Sequence, residues 1–454
     1  MDGLALRPKK SGPDQRVPVI KRANALAVVY RETQHLIPYA RNARTHSKDQ
    51  IRQIADSIRV FGFTNPILID RAATIVAGHG RVEAAKLLGL KTVPTICLEN
   101  LNQDQIRAYI LADNKLAEKA GWDNAILAIE LQHLTSIDLG FDVSLTGFEI
   151  GEIDLILQEG KAEEQEEEPV EISTEPAVTK PGDVWASANH RIMCGDALDE
   201  SVHSVLMNGR TADLVFTDPP YNVRIDGNVC GKGAIRHREF AMACGEMTEA
   251  EFVSFLSRAL DPLERHSKPG SVHFICMDWR HVGELLTAGK QTYDTLLNLC
   301  VWAKDNGGMG SLYRSQHELV FVFRKSLESH RNNIQLGKFG RNRTNVWRYP
   351  GVNTLSRSGE EGNLLALHPT VKPVAMIADA ILDCSAPGDI VLDNFCGVGS
   401  TILAAERVGR SCYAIEIDPL YVDTAVKRWE KQTEKQAVRA ASGKDFEQAE
   451  VANG

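Results

Sequence analysis

The 454-residue sequence has no apolar run of membrane-spanning length and no signal-peptide pattern at its N-terminus. Its nine cysteines include no Cys-x-x-Cys pair and no Cys/His spacing typical of metal sites. An odd number of scattered cysteines argues against disulfides and against zinc. No internal repeat is found, so a repeat architecture is not indicated. We therefore expect a cytoplasmic protein with reduced thiols, without a metal and without membrane contact.

The net charge of −9 argues superficially against a nucleic-acid partner, but the charges are unevenly distributed. Residues 159–175 contain eight glutamates and one lysine, which account for most of the excess. Residues 324–348 contain seven Lys/Arg and one Glu. Because a basic segment can neutralise phosphates even in an acidic protein, the composition is compatible with DNA binding.

The composition predicts two domains. Residues 1–30 are expected to be a flexible tail and residues 31–158 a first domain. The acidic residues 159–180 have almost no large apolar side chains and are expected to form a solvated linker. Residues 181–430 form the second domain, and residues 431–454 a charged tail that is helical at its start.

A stiff loop in the second domain carries the most specific signal. Asp218, Pro219, Pro220 and Tyr221 directly follow an apolar run at 213–216, which is typical of a buried strand ended by prolines. The Asp218 carboxylate and the Pro219 carbonyl can both accept hydrogen bonds from one exocyclic NH2 group, and the Tyr221 ring offers a stacking face. The loop therefore indicates chemistry on a nucleobase amine. The alternative is a proline turn with an exposed aspartate.

A glycine loop further along the chain predicts a cofactor site. Residues 389–393 are expected to form a buried strand that ends at Asp393, and Gly397 and Gly399 follow. A helical run from Thr401 to Val408 and a second apolar strand at 412–415 lead to Glu416, 23 residues after Asp393. Strand, glycine loop, helix, strand and acid form the unit that binds a nucleoside cofactor, with the last acid on the ribose hydroxyls. A single Gly-x-Gly preceded by an acid argues against a pyrophosphate and suits a cationic amino or sulfonium group.

With these motifs, residues 181–430 resemble amino-group DNA methyltransferases that use S-adenosylmethionine. The resemblance is to the permuted, beta-like class, in which the Asp-Pro-Pro-Tyr motif precedes the glycine loop. It covers about 240 residues and implies an α/β, Rossmann-like methyltransferase domain. Further segments agree in order: CGDAL at 194–198, VWAK at 301–304, YRSQHE at 313–318 and HPTVKP at 368–373.

The resemblance implies a role for individual residues. The catalytic loop comprises Asp218, Pro219, Pro220 and Tyr221, and Asp at the first position favours adenine N6, with cytosine N4 as the alternative. The cofactor-binding residues are Asp196, Thr370, Lys372, Asp393, Phe395, Gly397, Gly399 and Glu416.

Within that set, Asp196 contacts the cofactor adenine, while the Thr370 hydroxyl and the Lys372 ammonium hold the methionine carboxylate. The alternatives are that Asp196 only caps the following helix, that Lys372 is an exposed lysine, and that His317 and Glu318 are a surface pair.

The expected substrate is double-stranded DNA, from which the target base swings out to stack on Tyr221. Recognition of the DNA sequence is assigned to residues 224–245 and 324–365, which match no shared motif. The basic and amide side chains in the second segment suit phosphates and base edges: Arg331, Asn332, Asn333, Lys338, Arg341, Asn342 and Arg343. A solvated basic loop is the alternative.

The first domain resembles the N-terminal domain of the ParB/sulfiredoxin superfamily, a small α+β fold. The pattern is an amphipathic helix from Gln50 to Phe61, a strand at 66–69, a turn around Gly78, a helix from Val82 and a closing strand at 93–98.

In that family a Gly-x-x-Arg turn at a helix start binds nucleotide phosphates, which implies a nucleotide site at Gly78, His79 and Arg81. His79 stands where an acid is usual, and no cysteine lies in the turn, which excludes sulfiredoxin chemistry. Nucleotide hydrolysis, nuclease activity and DNA docking remain alternatives. The helical stretch 103–134 either completes this domain or mediates association, for example into a homodimer.

The sequence thus favours a DNA (adenine-N6) methyltransferase fused to a ParB-like domain, as restriction-modification systems or mobile elements carry. A ParB-like DNA-binding protein with an inactive methyltransferase domain is the rival, and an intact Asp218, Tyr221, Gly397 and Glu416 argue against it. Methylation of protein glutamine or of RNA is disfavoured by the order of the motifs and by Asp218.

Overall fold

The computed structural model describes residues 26–119, 121–137, 140–159, 176–223, 245–305, 307, 312–334, 343–350 and 371–453. They belong to two compact units, one up to residue 123 together with 140–147, the other comprising 124–137 and the residues from 148 onward. Within these ranges no helix is both long and apolar enough to cross a membrane. The seven described cysteines are free thiols.

The first unit is a four-stranded sheet with helices, in the strand order β1-β4-β2-β3. Its elements are β1 (Val28–Glu32), α1 (Lys48–Phe61), β2 (Ile67–Ile69), β3 (Ile75–Ala77), α2 (His79–Leu87), β4 (Thr92–Cys97) and α3 (Gln103–Glu118). β1 and β4 are antiparallel, β4 and β2 parallel, β2 and β3 antiparallel. A small core of Ile67, Ile69, Ile75 and Val82 joins the sheet to α2.

The helices of this unit begin where local chemistry allows. The Ser47 side chain accepts a hydrogen bond from the Gln50 N–H, so α1 begins two residues before the predicted Gln50. α2 begins at His79 rather than at the predicted Val82, because Gly78 takes the left-handed conformation at its N-cap (φ 103°).

The predicted N-terminal tail is too long. β1 starts at Val28 and pairs with β4 over five residues, yet all five of its side chains are exposed. Because neither face of this edge strand is buried, the sequence lacks the alternation of apolar and polar residues that would indicate a strand.

The second unit is built on a ten-stranded sheet, in the order β11-β9-β10-β8-β7-β12-β13-β6-β5-β14. The strands are β5 (Val184–Ser187), β6 (His190–Cys194), β7 (Ala212–Thr217), β8 (Ser267–Met277), β9 (Thr295–Ala303), β10 (His317–Arg324), β11 (Val346–Arg348), β12 (Ile390–Asp393), β13 (Ser411–Glu416) and β14 (Val438–Arg439). The five central strands β8, β7, β12, β13 and β6 are parallel.

Helices cover both faces of this sheet. They are α4 (Asn124–Ser136), α5 (Ile150–Glu159), α6 (Glu200–Met207), α7 (Glu249–Arg265), α8 (Val282–Thr292), α9 (Val374–Cys384), α10 (Ser400–Arg407), α11 (Pro419–Thr433) and α12 (Phe446–Asn453). On β7, Leu214 and Phe216 pack with residues of α9, α10 and α11, whereas Val215 packs with residues of α6, α7 and α8. The strand is therefore continuously apolar, as expected for a parallel strand buried on both faces.

The α/β, Rossmann-like prediction for the second domain is confirmed. The predicted strand at 389–393 is β12, the helical run from Thr401 is α10, and the second apolar strand is β13. Each boundary agrees within one residue, because Gly397 and Gly399 separate strand and helix as the pattern indicated.

The boundaries at both ends of the second domain differ from the prediction. α4 and α5 belong to the second unit, although the sequence placed them in the first domain. At the C-terminus, Phe446 packs against Trp185 (ring centroids 5.2 Å apart), so the predicted charged tail contributes β14 and α12 to the unit. β14 and α12 contain few apolar residues, and these are spaced too widely for the sequence to reveal the packing of the C-terminus.

Candidate active site

The predicted site residues follow the carboxyl ends of four neighbouring parallel strands. Asp218 follows β7, Asp393 ends β12, Glu416 ends β13, and Asp196 follows β6. After β7 the chain continues to β8 on one side, and after β12 it continues to β13 on the other. Ligands of open α/β sheets bind at this kind of switch point, which here lies between β7 and β12.

A hydroxyl joins the two loops at the switch point. Thr217, the residue before Asp218, places its Oγ1 3.0 Å from Asp393 Oδ1 and 2.8 Å from Asn394 Oδ1. The other Asp393 oxygen accepts a hydrogen bond from the Thr401 hydroxyl at 2.6 Å. The Asp218 loop and the glycine loop are therefore fixed to one another through buried side chains.

Asp393 itself is turned into the protein. The Phe395 N–H donates to its Oδ1 at 3.1 Å, so both carboxylate oxygens have protein partners. Burial raises the pKa of Asp393 to about 6, although these hydrogen bonds oppose the rise. The geometry makes Asp393 the residue that shapes the glycine loop.

The glycine loop is open on one side. Gly397 and Gly399 both have positive φ angles (54° and 85°). Among the described residues, a Cβ on Gly397 would meet no atom within 4 Å, whereas a Cβ on Gly399 would lie 2.7 Å from that of Ala425 in α11. The first glycine thus leaves space for a ligand, and the second allows α11 to pack closely.

Glu416 borders the open side of the loop. Its Oε2 accepts a hydrogen bond from the Gly397 N–H at 2.8 Å, and its Oε1 accepts one from the Asp418 N–H at 2.9 Å. Burial raises the pKa of Glu416 to about 7, against the effect of these backbone donors. A carboxylate can accept about four hydrogen bonds, so Glu416 keeps acceptor capacity for a ligand hydroxyl group.

Asp196 is not the cap of the following helix. Asp199 caps α6, with its side chain accepting from the Ser201 N–H at 2.8 Å. The Asp196 carboxylate instead accepts from the Leu198 N–H at 2.9 Å, in a turn directly after β6. The Gly195 N–H donates to the Glu416 carbonyl at 3.0 Å, so Asp196 lies on the strand end next to Glu416.

The predicted catalytic loop is part of a charged cluster. The Tyr221 hydroxyl donates to Asp218 Oδ1 at 2.5 Å and lies 3.1 Å from Glu318 Oε2. The Lys372 ammonium contacts Asp218 Oδ2 and lies 3.1 Å from Glu318 Oε2. Lys304 contacts the other Glu318 oxygen. Two carboxylates and two ammonium groups therefore meet beside Tyr221.

This cluster changes the expected positions of two residues. Lys372 is buried (4% exposed) and is therefore not an exposed lysine. Two of its three possible hydrogen bonds are taken by Asp218 and Glu318. The Tyr221 ring lies 5.3 Å from Lys372 Nζ and packs against apolar core residues on both faces of the ten-stranded sheet. Of the two prolines, Pro219 is buried and Pro220 is half-buried.

Glu318 is the residue that sequence reasoning missed. Glu318 ends the motif at 313–318, for which the alternative was a surface pair of His317 and Glu318, but its side chain is only 14% exposed. Burial acts to raise the pKa of Glu318, but Lys372 and Lys304 outweigh it and lower that pKa to about 2. The available signal was its place in the motif; its ionic partners are remote in sequence.

Asn222, which directly follows Tyr221, holds the end of the predicted catalytic loop. Its side chain accepts hydrogen bonds from the N–H groups of Gly245 and Met247 and donates one to the Met247 carbonyl. Asn222 itself has φ 52°, a left-handed conformation that asparagine tolerates.

Several predicted positions lie outside the described residues. These are Thr370, residues 224–244 of the first recognition segment, and residues 335–342 and 351–365 of the second, including Lys338, Arg341 and Asn342. Two others are structural. Asn333 is buried and donates to the Leu382 and Ser385 carbonyls, and Arg343 pairs with Asp379 and Asp383. Both bind α9 and the residue after it, which argues against a DNA contact.

The predicted nucleotide turn of the first unit is compact. Gly78, His79 and Arg81 lie at the start of α2, to which the described residues supply no side-chain cap. The Arg81 guanidinium donates to the Asn65 and Pro66 carbonyls, and His79 Nε2 accepts from the Tyr39 N–H at 3.3 Å. Arg81 therefore braces the turn from the side of β2.

Comparison with known families agrees with the division of the chain into two units. Residues 22–115 match the ParB N-terminal domain, residues 125–181 the ParB-methyltransferase HTH domain, and residues 212–427 the DNA methylase family of N6 and N4 enzymes. This chain belongs to the ParB-like proteins and carries an N6/N4 DNA methylase domain. The predicted fusion of the two domain types is thereby confirmed.

Individual relatives match one part of the fusion each. The ParB-like nuclease domain-containing protein YnaK of Escherichia coli (strain K12) is 54% identical over 80 residues, 18% of this chain and 92% of the relative. The type II methyltransferase M.HpaI of Haemophilus parainfluenzae is 23% identical over 258 residues, 54% of this chain and 75% of the relative.

Among solved structures, the M1.HpyAVI–SAM complex is similar to the DNA methylase part. It is 20% identical, covers 52% of this chain and 98% of its own, and has a TM-score of 0.37. The matched DNA methylase region, 212–427, contains Asp218, Glu318, Lys372 and Glu416, whereas Asp196 precedes it. The HTH region contains α4 and α5, which pack with the methylase domain in the second unit.

Proposed function

We propose that this DNA methyltransferase transfers a methyl group from S-adenosylmethionine to N6 of adenine in double-stranded DNA. The observation that carries the proposal is the link from Thr217 to Asp393, which sets the target-binding loop directly beside the glycine loop. A carboxylate for the amine and an open loop for a nucleoside thus lie at one switch point. Asp218 at the first position of the loop supports adenine over cytosine N4.

The residues around the glycine loop fit the cofactor. Gly397 leaves open space on the loop, and Glu416 presents buried carboxylate oxygens beside it for the two ribose hydroxyls. Asp196, on the neighbouring strand end, would contact the adenine. When bound, S-adenosylmethionine supplies an electrophilic methyl group on a sulfonium centre, so the protein's main task is to position the reactants.

Asp218 performs the remaining chemistry in this proposal. Together with the Pro219 carbonyl it accepts hydrogen bonds from the target NH2, which localises the nitrogen lone pair that adenine otherwise delocalises into its ring. Its negative charge stabilises the positive charge that develops on nitrogen, and it can accept the proton that nitrogen then releases. Because N6 cannot be reached inside a duplex, the base swings out toward Tyr221.

The test is transfer of labelled methyl groups from S-adenosylmethionine to unmethylated genomic DNA by the wild type, Asp218→Ala and the control Glu249→Ala, an exposed acid at the start of α7. Wild type and control should label DNA equally, with Asp218→Ala reduced by about 100-fold or more. Equal labelling by all three proteins, or by none, contradicts the proposal. Nucleoside digestion of the product should give N6-methyladenine, and N4-methylcytosine would instead establish the cytosine alternative.

For the first domain we propose nucleotide phosphate binding at the start of α2. The supporting observations are the left-handed Gly78 and the absence of a side-chain cap among the described residues, which leave backbone N–H groups for an anion. Binding of labelled nucleoside triphosphates by the full chain, compared between wild type and Gly78→Ala, tests it. Equal retention by both proteins would count against this site.

A further inference from the structure

The position of Lys372 suggests a function beyond cofactor binding. It lies two residues before α9 and 154 residues from Asp218, yet its ammonium contacts Asp218 Oδ2 and lies 3.1 Å from Glu318 Oε2. It is almost fully buried (4% exposed). A buried lysine between two carboxylates is costly to desolvate, and its charge is retained only because both partners compensate it.

Glu318, in turn, is held from both sides. One of its oxygens contacts Lys304, and the other is shared between Lys372 and the Tyr221 hydroxyl. Lys304 also lies 4.5 Å above the Trp302 ring, on the neighbouring strand β9. Glu318 therefore occupies a defined position on β10 from which it can orient both Lys372 and Tyr221.

We propose that Glu318 and Lys372 are positioning residues for methyl transfer: Glu318 holds Lys372, and Lys372 keeps the half-buried Asp218 carboxylate ionised and oriented toward the target amine. This inference rests on the proposed function. It replaces the expectation that Lys372 holds the methionine carboxylate with a role at the target base.

The physical reason is the environment of Asp218. Among the described residues, the titratable groups facing it are Tyr221 in its own loop, Cys276 on β8, Glu318, Lys372 and Asp393 on β12. Burial raises the pKa of Asp218, Lys372 lowers it, and the Glu318 charge raises it again. A protonated Asp218 would lose acceptor capacity for the NH2 group, so Lys372 maintains the form that the reaction needs.

Replacing Lys372 and replacing Glu318 should therefore change the pH dependence of methyl transfer differently. Without Lys372, Asp218 and Glu318 are two half-buried like charges, and we expect Asp218 to take up a proton because Glu318 keeps Lys304. Methyl transfer by Lys372→Gln should then rise with pH as Asp218 ionises. Without the Glu318 charge, Asp218 stays ionised beside Lys372 but is less well oriented, so Glu318→Gln should be slow without this rise.

The experiment is single-turnover methyl transfer at saturating cofactor and DNA between pH 6 and 9, with the cofactor dissociation constant measured separately by equilibrium dialysis. At neutral pH, Lys372→Gln should be about 100-fold slower than wild type, with its cofactor affinity within about threefold of wild type. Lys372→Arg, which keeps the charge, should recover part of the rate and the wild-type pH profile. Lys268→Gln, at an exposed lysine outside the cluster that pairs with Asp213, controls for the loss of a lysine and should keep the wild-type rate.

Three outcomes would overturn the inference. A weaker cofactor affinity of Lys372→Gln with an unchanged rate at saturation would place Lys372 at the methionine carboxylate. An equal loss in Lys372→Gln and Lys372→Arg with no change in pH profile would make its role purely structural. If Lys372→Gln does not fold, wild-type rate in Glu318→Gln would be decisive against it. An inactive wild type would instead refute the proposed function itself.

Discussion

The Arg410 guanidinium forms a two-pronged ion pair with the Asp154 carboxylate, at 2.7 and 3.0 Å, and both side chains are almost fully buried (0% and 4% exposed). Arg410 precedes β13, which ends at Glu416, and also donates to the Ser385 carbonyl and hydroxyl. Asp154 lies in α5, within the region that matches the ParB-methyltransferase HTH domain. This ion pair anchors α5 to the sheet that carries the glycine loop.

Replacing Asp154 should therefore destabilise the methylase unit. Asp154→Asn leaves the Arg410 charge buried without its counter-charge, which should lower the free energy of unfolding by about 3–5 kcal/mol. Chemical denaturation monitored by tryptophan fluorescence would measure the change. Lys268→Ala, which breaks the more exposed pair with Asp213, is the control and should change stability by less than about 1 kcal/mol. Equal effects of the two substitutions would contradict the anchoring role.

Alanine substitutions at the two glycines of the glycine loop, Gly397 and Gly399, should have different effects. Gly399→Ala brings a Cβ to 2.7 Å from that of Ala425, so it should lower the melting temperature by displacing α11. Adding Ala425→Gly should restore part of the loss. Gly397→Ala costs about 1–2 kcal/mol for its left-handed conformation but meets open space.

Because that open space is the proposed cofactor site, Gly397→Ala should also weaken S-adenosylmethionine binding, by about tenfold in the dissociation constant. Calorimetric titration would measure it. Wild-type affinity in Gly397→Ala would indicate that the cofactor does not approach this side of the loop.

Cofactor binding should depend on pH through Glu416. Its pKa is raised to about 7, so the carboxylate that we propose to accept the ribose hydroxyls becomes protonated as the pH falls below that value. The dissociation constant should therefore increase as the pH is lowered from 8 to 6, by at most about tenfold per pH unit for one proton. Glu416→Gln should bind weakly, with no such dependence. A pH-dependent Glu416→Gln would assign the effect to another group.

The Tyr221 hydroxyl and ring should make separable contributions. Tyr221→Phe removes the contacts with Asp218 and Glu318 but keeps the stacking face, so kcat should fall by about tenfold with little change in KM for DNA. Tyr221→Ala should impair both, since stacking of a base on an aromatic ring contributes about 1–3 kcal/mol. Steady-state kinetics on DNA of the mapped target sequence distinguish the two effects. Similar KM values for both variants would argue against stacking on this ring.

The sequence alone was sufficient for the elements that depend on local pattern. β7, β12, α10 and β13 follow from apolar runs ended by Pro219, Gly397 and Gly399, since a buried parallel strand and a glycine turn leave a clear local signal. The grouping of acidic residues at the strand ends could also be predicted, because parallel strands bring their carboxyl ends to one edge of the sheet.

Only the tertiary structure decided which of these charges meet. Lys372 contacts Asp218 across 154 residues, and Glu318 contacts Tyr221 across 97 residues. No local pattern encodes such contacts. The same holds for Arg410 and Asp154, 256 residues apart, and for β1, whose exposed side chains leave no periodic signal. Local pattern determined the strands and the loops, whereas burial and long-range pairing of charges decided how the residues on those loops are combined into a site.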